Sequence, residues 1–202
     1  MFSSHVMKPS LSLLGVGFFA LMTAACSHTP VQTSPVETSN NTTAQANTKS
    51  QVVQVHAVSA QGVGEAIGTV TFQNTVTGLK ITPKLTKLTP GAHGFHIHEK
   101  GSCEPAEKDG VKQAALAAGG HFNPNSAPNH GTPNTGHLGD LPVLQVDAAG
   151  NASTPVIAPR LTLQTIQGLS VMVHAGGDNY SDQPKPLGGG GERVACGVIS
   201  SN

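Results

Sequence analysis

The chain has 202 residues and a formal net charge of zero, with 11 Lys and Arg balanced by 11 Asp and Glu. Its length favours one medium-sized domain with a removable segment over two domains, and its balanced charge lacks the basic excess that a nucleic-acid partner usually requires. The 24 Gly, the 14 Pro and the absence of Trp are typical of short strands joined by turns and argue against a helical bundle.

Residues 1–25 have the pattern of a signal peptide, with Lys8 in a polar start followed by the apolar run Leu11–Met22. That run is too short to span a bilayer and is typical of a secretory h-region. The Thr-Ala-Ala-Cys ending is similar to a lipobox, so we expect Cys26 to be lipidated and to become the first mature residue. Ser27 after it favours outer-membrane sorting. Ordinary signal-peptidase cleavage without lipidation is the alternative.

Residues 26–50 are expected to be a lipidated cysteine followed by a disordered polar tether. Ser, Thr, Pro, Gln and Asn dominate this segment, which cannot bury enough apolar surface to fold. Its predicted role is to hold the folded domain, residues 51–202, away from a membrane. The expected location is therefore the periplasm, with the domain attached to the membrane through Cys26.

The chain contains three cysteines, an odd count. If Cys26 becomes a thioether, Cys103 and Cys196 remain as a pair, and an exported protein would oxidise them. The disulfide would close a loop of about 90 residues, for which chain-entropy arguments give about 4 to 5 kcal/mol. Two buried free thiols are the alternative.

The domain is predicted to be all-β, because short runs with alternating apolar residues are separated by turns rich in Gly and Asn. The predicted strands cover residues 52–57, 67–72, 79–81, 92–99, 141–146, 154–163, 169–174 and 193–199. This spacing indicates an antiparallel sandwich or barrel. His56 on the first strand is expected to be a surface histidine.

The segment Gly-Phe-His-Ile-His at 94–98 carries the first candidate metal ligands. Because strand side chains alternate between faces, His96 and His98 should point to one face while the neighbouring Phe and Ile point to the other. One strand can therefore present two imidazoles to a metal and still bury its other face. The same alternation places His93 opposite them, so His93 is not expected to be a ligand. An isolated His-x-His pair is more often part of a half-exposed strand, so the interpretation depends on later residues.

Residues 101–140 form a long segment with little periodic pattern, and such a loop is usually either functional or disordered. Four candidate ligands, three His and one Asp, lie close together in it: His121, His130, His137 and Asp140. This closed tetrahedral set suits structural zinc, and metal binding would offset the entropy cost of ordering the loop. A solvated loop that happens to contain histidines is the alternative.

His174 ends the predicted strand 169–174, where its side chain can reach an open cleft. With it, the chain supplies six imidazoles and one carboxylate, the ligand set of a two-metal site. A second irregular loop, 175–192, contains Asp178 and precedes Arg193. Taken alone, Arg193 would more often be a surface charge than a functional one.

Five motifs, in the right order over about residues 52–199, closely resemble the bacterial, exported branch of the copper–zinc superoxide dismutases. They are Gly-Phe-His-Ile-His at 94–98, Gly-His-Phe-Asn-Pro at 120–124, Gly-His-Leu-Gly-Asp at 136–140, Val-His-Ala-Gly-Gly-Asp at 173–178 and Gly-Glu-Arg-Val-Ala-Cys-Gly-Val at 191–198. The resemblance implies an antiparallel Greek-key β-sandwich or flattened barrel with a zinc/disulfide loop and an electrostatic loop. It also implies dismutation of superoxide to dioxygen and hydrogen peroxide.

The resemblance implies one copper ion and one zinc ion per subunit. The implied copper ligands are His96, His98, His121 and His174. The implied zinc ligands are His121, His130, His137 and Asp140. His121 would therefore bridge the two metals, and in the family's mechanism it is released from copper and protonated during turnover.

The same resemblance implies roles for residues beside the metals. Asp178 would accept hydrogen bonds from the imidazoles of His96 and His130, which fixes their orientation. Arg193 would attract and position the superoxide anion beside the copper. A Cys103–Cys196 disulfide would tie the long loop to the strand that carries Arg193.

The chain departs from the family pattern where only six residues separate His130 from His137, which predicts a tighter zinc loop. Two other functions are the alternatives: a non-enzymatic periplasmic copper- or zinc-binding or storage module, and a mononuclear zinc hydrolase. A storage module would lack a copper ligand or Arg193, and neither is missing. A hydrolase needs an open zinc position and a general base. The expected partner is superoxide, and both a monomer and a homodimer remain open.

Overall fold

A computed structural model describes residues 49–201, so the predicted signal peptide, Cys26 and nearly all of the predicted tether lie outside the described residues. Within residues 49–201, no helix is both long enough and apolar enough to cross a membrane.

The described residues form eleven strands and three short 3-10 helices. The strands are β1 (Ser50–Ser59), β2 (Gly62–Thr75), β3 (Gly78–Leu85), β4 (Gly91–His93), β5 (Phe95–His98), β6 (Ala106–Lys108), β7 (Val111–Gln113), β8 (Leu144–Val146), β9 (Val156–Ala158), β10 (Ser170–His174) and β11 (Arg193–Val198). The 3-10 helices cover Leu116–Ala118, Gln164–Ile166 and Leu187–Gly189.

Seven strands form one antiparallel sheet in the order β5-β10-β11-β1-β2-β3-β9, and β4 and β8 form a separate pair. β1 pairs with β2 along most of its length, and on its other side His56 lies opposite Cys196 of β11. The first and last strands are therefore neighbours. The predicted all-β antiparallel architecture is confirmed.

The apolar core lies on the inner face of the sheet. On β1, Val53 and Val55 are buried while Val52 is 63% exposed, as strand alternation requires. Phe72 of β2 and Phe95 of β5 belong to the same buried cluster and have no exposed surface. Burying each such side chain contributes about 1.5 to 3 kcal/mol, so the core provides a rigid support for β5.

The predicted strand 154–163 is wrong in its extent, because only Val156–Ala158 is a strand. The alternation that suggested a longer strand reflects Leu161 and Leu163, which are buried from the turn that follows. Pro159 cannot donate to a strand ladder, which explains why the strand stops before it.

The segment 101–140 has more regular structure than its sequence pattern indicates. It contains the hairpin of β6 and β7, in which Lys108 pairs with Val111. The two linking residues, Asp109 and Gly110, have φ values of 53° and 76°, as expected of a two-residue hairpin turn with Asp-Gly. The hairpin was missed because most of its side chains are exposed and show no apolar alternation.

Candidate metal centre

β5 is the strand on which the centre is built. It is an edge strand of the seven-stranded sheet and pairs with β10. The side chains of Phe95 and Ile97 belong to the apolar core, whereas those of His96 and His98 point to the opposite face. Because the core fixes this strand from behind, the two imidazoles are held with little freedom to move.

The long loop reaches the centre by bonding to the free edge of β5. Ile97 donates to the carbonyl of Gly139 at 2.9 Å, and its own carbonyl accepts from Phe122 at 2.8 Å. These bonds bring His121 beside His98, and Asp140 beside His96. A Cβ on Gly139 would lie 2.3 Å from the Ile97 carbonyl oxygen, so this close approach requires glycine.

The first cluster joins four buried histidines from two strands and the loop. Their candidate ligand atoms all lie within 4.8 Å of one another, and the members are His96, His98, His121 and His174. Nε2 of His98 and Nε2 of His174 are 3.4 Å apart, and the rings of His96 and His121 stack with centroids 3.9 Å apart.

The second cluster surrounds Asp140, whose side chain is fully buried. Its Oδ1 lies 2.9 Å from Nδ1 of His121, 3.0 Å from Nδ1 of His130 and 3.5 Å from Nδ1 of His137. Its Oδ2 accepts hydrogen bonds from the backbone N–H groups of Gly131 and His137. The loop backbone therefore aims the free oxygen of Asp140 at three imidazoles.

His137 is the loosest member of this group. Its side chain is 12% exposed, whereas that of His130 has no exposed surface. Around Asp140, the candidate ligands whose atoms all lie within 4.8 Å of one another are Asp140 itself, His96, His121 and His130. His137 is not among them. His137 nevertheless turns Nδ1 toward Asp140, at 3.5 Å from its Oδ1.

Four buried ring nitrogens have no hydrogen-bond partner among the described residues. They are Nδ1 of His96, Nε2 of His121, Nδ1 of His130 and Nδ1 of His137. Leaving buried polar atoms unpaired is costly, and neutral imidazole nitrogens are good ligands for both copper and zinc. The donor set therefore fits one metal on each side of His121.

Asp178 lies between the two clusters. Its Oδ2 is 2.8 Å from Nε2 of His96, and its Oδ1 is 2.8 Å from Nε2 of His130. Each ring donates through Nε2 and so keeps Nδ1 free. A Cβ on Gly188, where φ is +71°, would lie 2.0 Å from Asp178 Oδ1, so glycine is required at that position.

The histidines of the first cluster are kept neutral. Burial, together with the neighbouring His121, lowers the pKa of His96 to about 3, and burial lowers the pKa of His174 to about 4. Burial also lowers the pKa of His98 well below 6.5. Neutral imidazoles can bind metal without first losing a proton.

Asp140, Asp178 and His130, in contrast, have pKa values shifted toward their charged forms. Although burial opposes it, the neighbouring carboxylates of Asp140 and Asp178 raise the pKa of His130 to about 9. Despite the burial of both carboxyl groups, the imidazoles of His121 and His130 lower the pKa of Asp140, and those of His130 and His96 lower the pKa of Asp178. Two carboxylates therefore concentrate negative charge where a dication would bind.

Arg193 is half-buried beside the first cluster, and its guanidinium donates to the carbonyls of Ala115 and Gly119, both at 2.6 Å. The predicted disulfide is confirmed: Cys103 and Cys196 are bonded, with their Cα atoms 5.7 Å apart. Because Cys196 lies on the same strand as Arg193, the disulfide ties that strand to the start of the long loop.

The histidines outside the two clusters contact backbone carbonyls instead. Nδ1 of His56 lies 3.1 Å from the carbonyl oxygen of Gly64, and His56 lies outside both clusters. His93 is also outside them, but its ring nitrogens lie 2.6 Å from the His174 carbonyl and 2.7 Å from the Thr89 carbonyl. Sequence reasoning did not identify that bracing contact, nor the contacts of Arg160 with the zinc loop, because backbone acceptors leave no sequence pattern.

Comparison with known proteins agrees with this geometry. The family model described as copper/zinc superoxide dismutase (SODC) matches residues 66–199. The chain is 58% identical over 156 residues to superoxide dismutase (Cu-Zn) 2 of Salmonella typhimurium, which covers 76% of this chain and 90% of that protein.

Two solved structures are similar. The Cu/Zn superoxide dismutase from Brucella abortus gives a TM-score of 0.74 at 50% identity, covering 75% of this chain and 100% of that one. The monomeric copper, zinc superoxide dismutase from Salmonella enterica gives 0.68 at 57% identity, with the same coverage.

Proposed function

The chain belongs to the copper/zinc superoxide dismutase family, and on that basis we propose that its two histidine clusters are the copper and zinc sites of the enzyme. The reaction converts two superoxide anions and two protons into dioxygen and hydrogen peroxide. The observation that carries the assignment is that four buried ring nitrogens, on His96, His121, His130 and His137, have no hydrogen-bond partner within residues 49–201.

The hydrogen bonds indicate which nitrogen of each ring is free for a metal. In the copper site, Nδ1 of His98 contacts the Gly119 carbonyl and Nδ1 of His174 contacts the Gly191 carbonyl, which leaves Nε2 of each as the ligand. His96 would use Nδ1, because Asp178 occupies its Nε2. His121 would use Nε2 and complete the set.

In the zinc site, the proposed ligand atoms are Nδ1 of His121, His130 and His137 together with Oδ1 of Asp140. Asp178 occupies Nε2 of His130, which supports Nδ1 as its ligand atom. His121 would therefore hold both metals, one through each ring nitrogen.

Copper, when bound, supplies the one-electron redox chemistry, and zinc supplies a redox-inert charge that organises the loop. The protein supplies the rest. Nε2 of His121 is buried and has no hydrogen-bond partner within residues 49–201, so it would be available to copper or, when copper does not bind it, to a proton for the peroxide product. Arg193 presents a cation at the copper side, where it attracts and orients a small anion.

The proposal is tested by loading the protein with both metals and measuring superoxide consumption. We expect activity to disappear when copper is removed and to return with copper but not with zinc. Full activity in the copper-free protein would contradict it, and copper binding without activity would favour a storage module.

The ligand sets are tested separately with two variants. His174→Ala should lose copper and keep zinc, whereas His137→Ala should lose zinc and keep copper. Metal content of the purified variants measures both effects. Loss of the same metal from both variants would contradict the division into two sites.

For the N-terminal residues, we propose export to the periplasm and lipidation at Cys26. The support is the sequence pattern of residues 1–26. Labelling with a radioactive fatty acid should mark the full-length chain and not Cys26→Ala. Equal labelling of the two would contradict lipidation at this residue.

A further inference from the structure

Arg160 follows β9 and reaches the zinc loop from the opposite end of the seven-stranded sheet. Its Nε donates to the Pro133 carbonyl at 2.7 Å, and its Nη2 donates to the carbonyls of Gly136 at 3.0 Å and His137 at 2.7 Å. One side chain therefore holds three carbonyls of the short segment that connects His130 and His137.

The loop is the main partner of this guanidinium. Arg160 is half-buried, and within residues 49–201 no carboxylate lies within ion-pair distance of it. The backbone at Arg160 is held in place, because Ala158 two residues before it and Leu161 directly after it are buried in the core. Arg160 thus connects a rigid part of the sheet to the segment 130–137, which contains no strand.

The loop has little room to move independently of the metal ligands. A Cβ on Gly136 would lie 2.2 Å from Asp140 Oδ2 and 2.3 Å from the backbone nitrogen of Gly131. The Asp140 oxygen in that contact also accepts from the His137 N–H at 2.8 Å. Displacing the three carbonyls would therefore displace the groups that aim Asp140.

Of the proposed zinc ligands, His137 is the one whose position depends most on such support. The other zinc-site imidazoles have no more than 1% of their side chain exposed, and His130 is also held through Nε2 by Asp178. His137 is 12% exposed, and its Nδ1 has no hydrogen-bond partner among the described residues. Its position depends mainly on its backbone, whose carbonyl Arg160 holds.

We propose that Arg160 is a positioning residue of the zinc site, which holds the His130–His137 connection so that His137 faces Asp140 before zinc binds. This rests on the ligand assignment proposed above. Groups that orient metal ligands typically change metal affinity by about 10- to 100-fold when they are removed. Arg160→Gln should therefore raise the zinc dissociation constant by about that factor.

The test compares Arg160→Gln, Arg160→Lys and a control, Lys84→Gln, which removes one exposed charge on β3. Zinc dissociation constants are measured by competition with a chelator, and cobalt(II) placed in the zinc site reports its geometry through its absorption bands. We expect Arg160→Lys to be intermediate, since an ammonium cannot reproduce a planar fork of donors. Lys84→Gln should behave as the unaltered protein.

Urea unfolding of the metal-free and zinc-loaded forms separates positioning from simple stabilisation. Because the stabilisation by zinc rises with the logarithm of its affinity, positioning predicts a larger loss of unfolding free energy in the zinc-loaded form. Equal losses with an unchanged zinc constant and cobalt spectrum would overturn the proposal. If Arg160→Gln does not fold, an unchanged zinc constant in Arg160→Lys would overturn it.

A fourth variant, His137→Ala, distinguishes failure of this inference from failure of the ligand assignment. If His137→Ala weakens zinc binding and Arg160→Gln does not, only the role of Arg160 is wrong. If His137→Ala binds zinc normally, the proposed ligand set itself is wrong.

Discussion

Arg193 and His98 share one hydrogen-bond acceptor, the carbonyl oxygen of Gly119. Nη2 of Arg193 lies 2.6 Å from this oxygen and Nδ1 of His98 lies 3.0 Å from it. A carbonyl only accepts, so the His98 ring carries its proton on Nδ1 and leaves Nε2 free. The position of the guanidinium and the orientation of a proposed copper ligand are therefore set by the same backbone group.

Replacing Arg193 should slow dismutation without removing copper. Arg193→Gln loses the cation that attracts superoxide, and electrostatic steering of this kind is worth about tenfold or more in rate. The rate of the variant should also depend less on ionic strength, because less steering remains to be screened. Superoxide consumption at several salt concentrations, with copper content measured in parallel, checks this.

Lys84→Gln is the matched control, since it removes an equal charge from an exposed site on β3. A full rate in Arg193→Gln would contradict the proposed role. Loss of copper from that variant would instead show that the shared Gly119 contact is needed to hold His98.

Asp178→Asn should weaken binding of at least one of the two metals. The carboxylate accepts from His96 and from His130, whereas an amide has one accepting oxygen and one donating nitrogen. One ring would lose its acceptor, and we expect copper or zinc affinity to fall by about 10- to 100-fold. Chelator competition measures the change. Asp147→Asn, on an exposed turn, is the control, and unchanged affinities in Asp178→Asn would exclude an orienting role.

Removing the disulfide should destabilise the domain. The bond joins residues separated by 93 positions, and loss of a native disulfide typically costs about 2 to 5 kcal/mol. Cys103→Ala combined with Cys196→Ala should lower the urea midpoint. Activity should fall too, because β11 loses its covalent tie to the loop that supplies the carbonyl partners of Arg193. An unchanged midpoint would show that packing alone holds the loop.

The metal-free protein should be most stable near pH 6.5. Below that pH, the unfolded chain takes up protons that His96, with a folded pKa of about 3, and His174, with a folded pKa of about 4, do not. Stability therefore falls as the pH drops toward those values. His130 has the opposite sign, since its pKa of about 9 gives stability that is lost as the pH rises from 6.5 to 9.

Urea unfolding of the metal-free protein between pH 4 and pH 9 measures this dependence. The metal-loaded protein is the comparison, because metal-bound imidazole nitrogens cannot take up protons in that range until the metal leaves. Stability of the metal-free form that keeps rising above pH 7 would contradict the assignment of His130.

The sequence indicated the residues that the structure brings together in the two clusters, but not the contacts that hold those residues in position. Period-two alternation was enough to place His96 and His98 on one face, and residue type was enough to single out Asp140. The bonds between β5 and the loop were not predictable, because they join backbone groups that every residue carries. His93 and Arg160 were missed for the same reason, since both act on carbonyl oxygens.

The arrangement of β11 between β10 and β1 has a consequence for how the protein folds. Every strand-to-strand link between the β5–β10 pair and the β1–β2–β3 group within the seven-stranded sheet passes through β11, the last strand made. The sheet cannot close until synthesis has reached Val198, and such long-range pairing makes folding slow. A chain that we propose is exported would therefore gain its complete seven-stranded sheet only once β11 is available to pair with both β10 and β1.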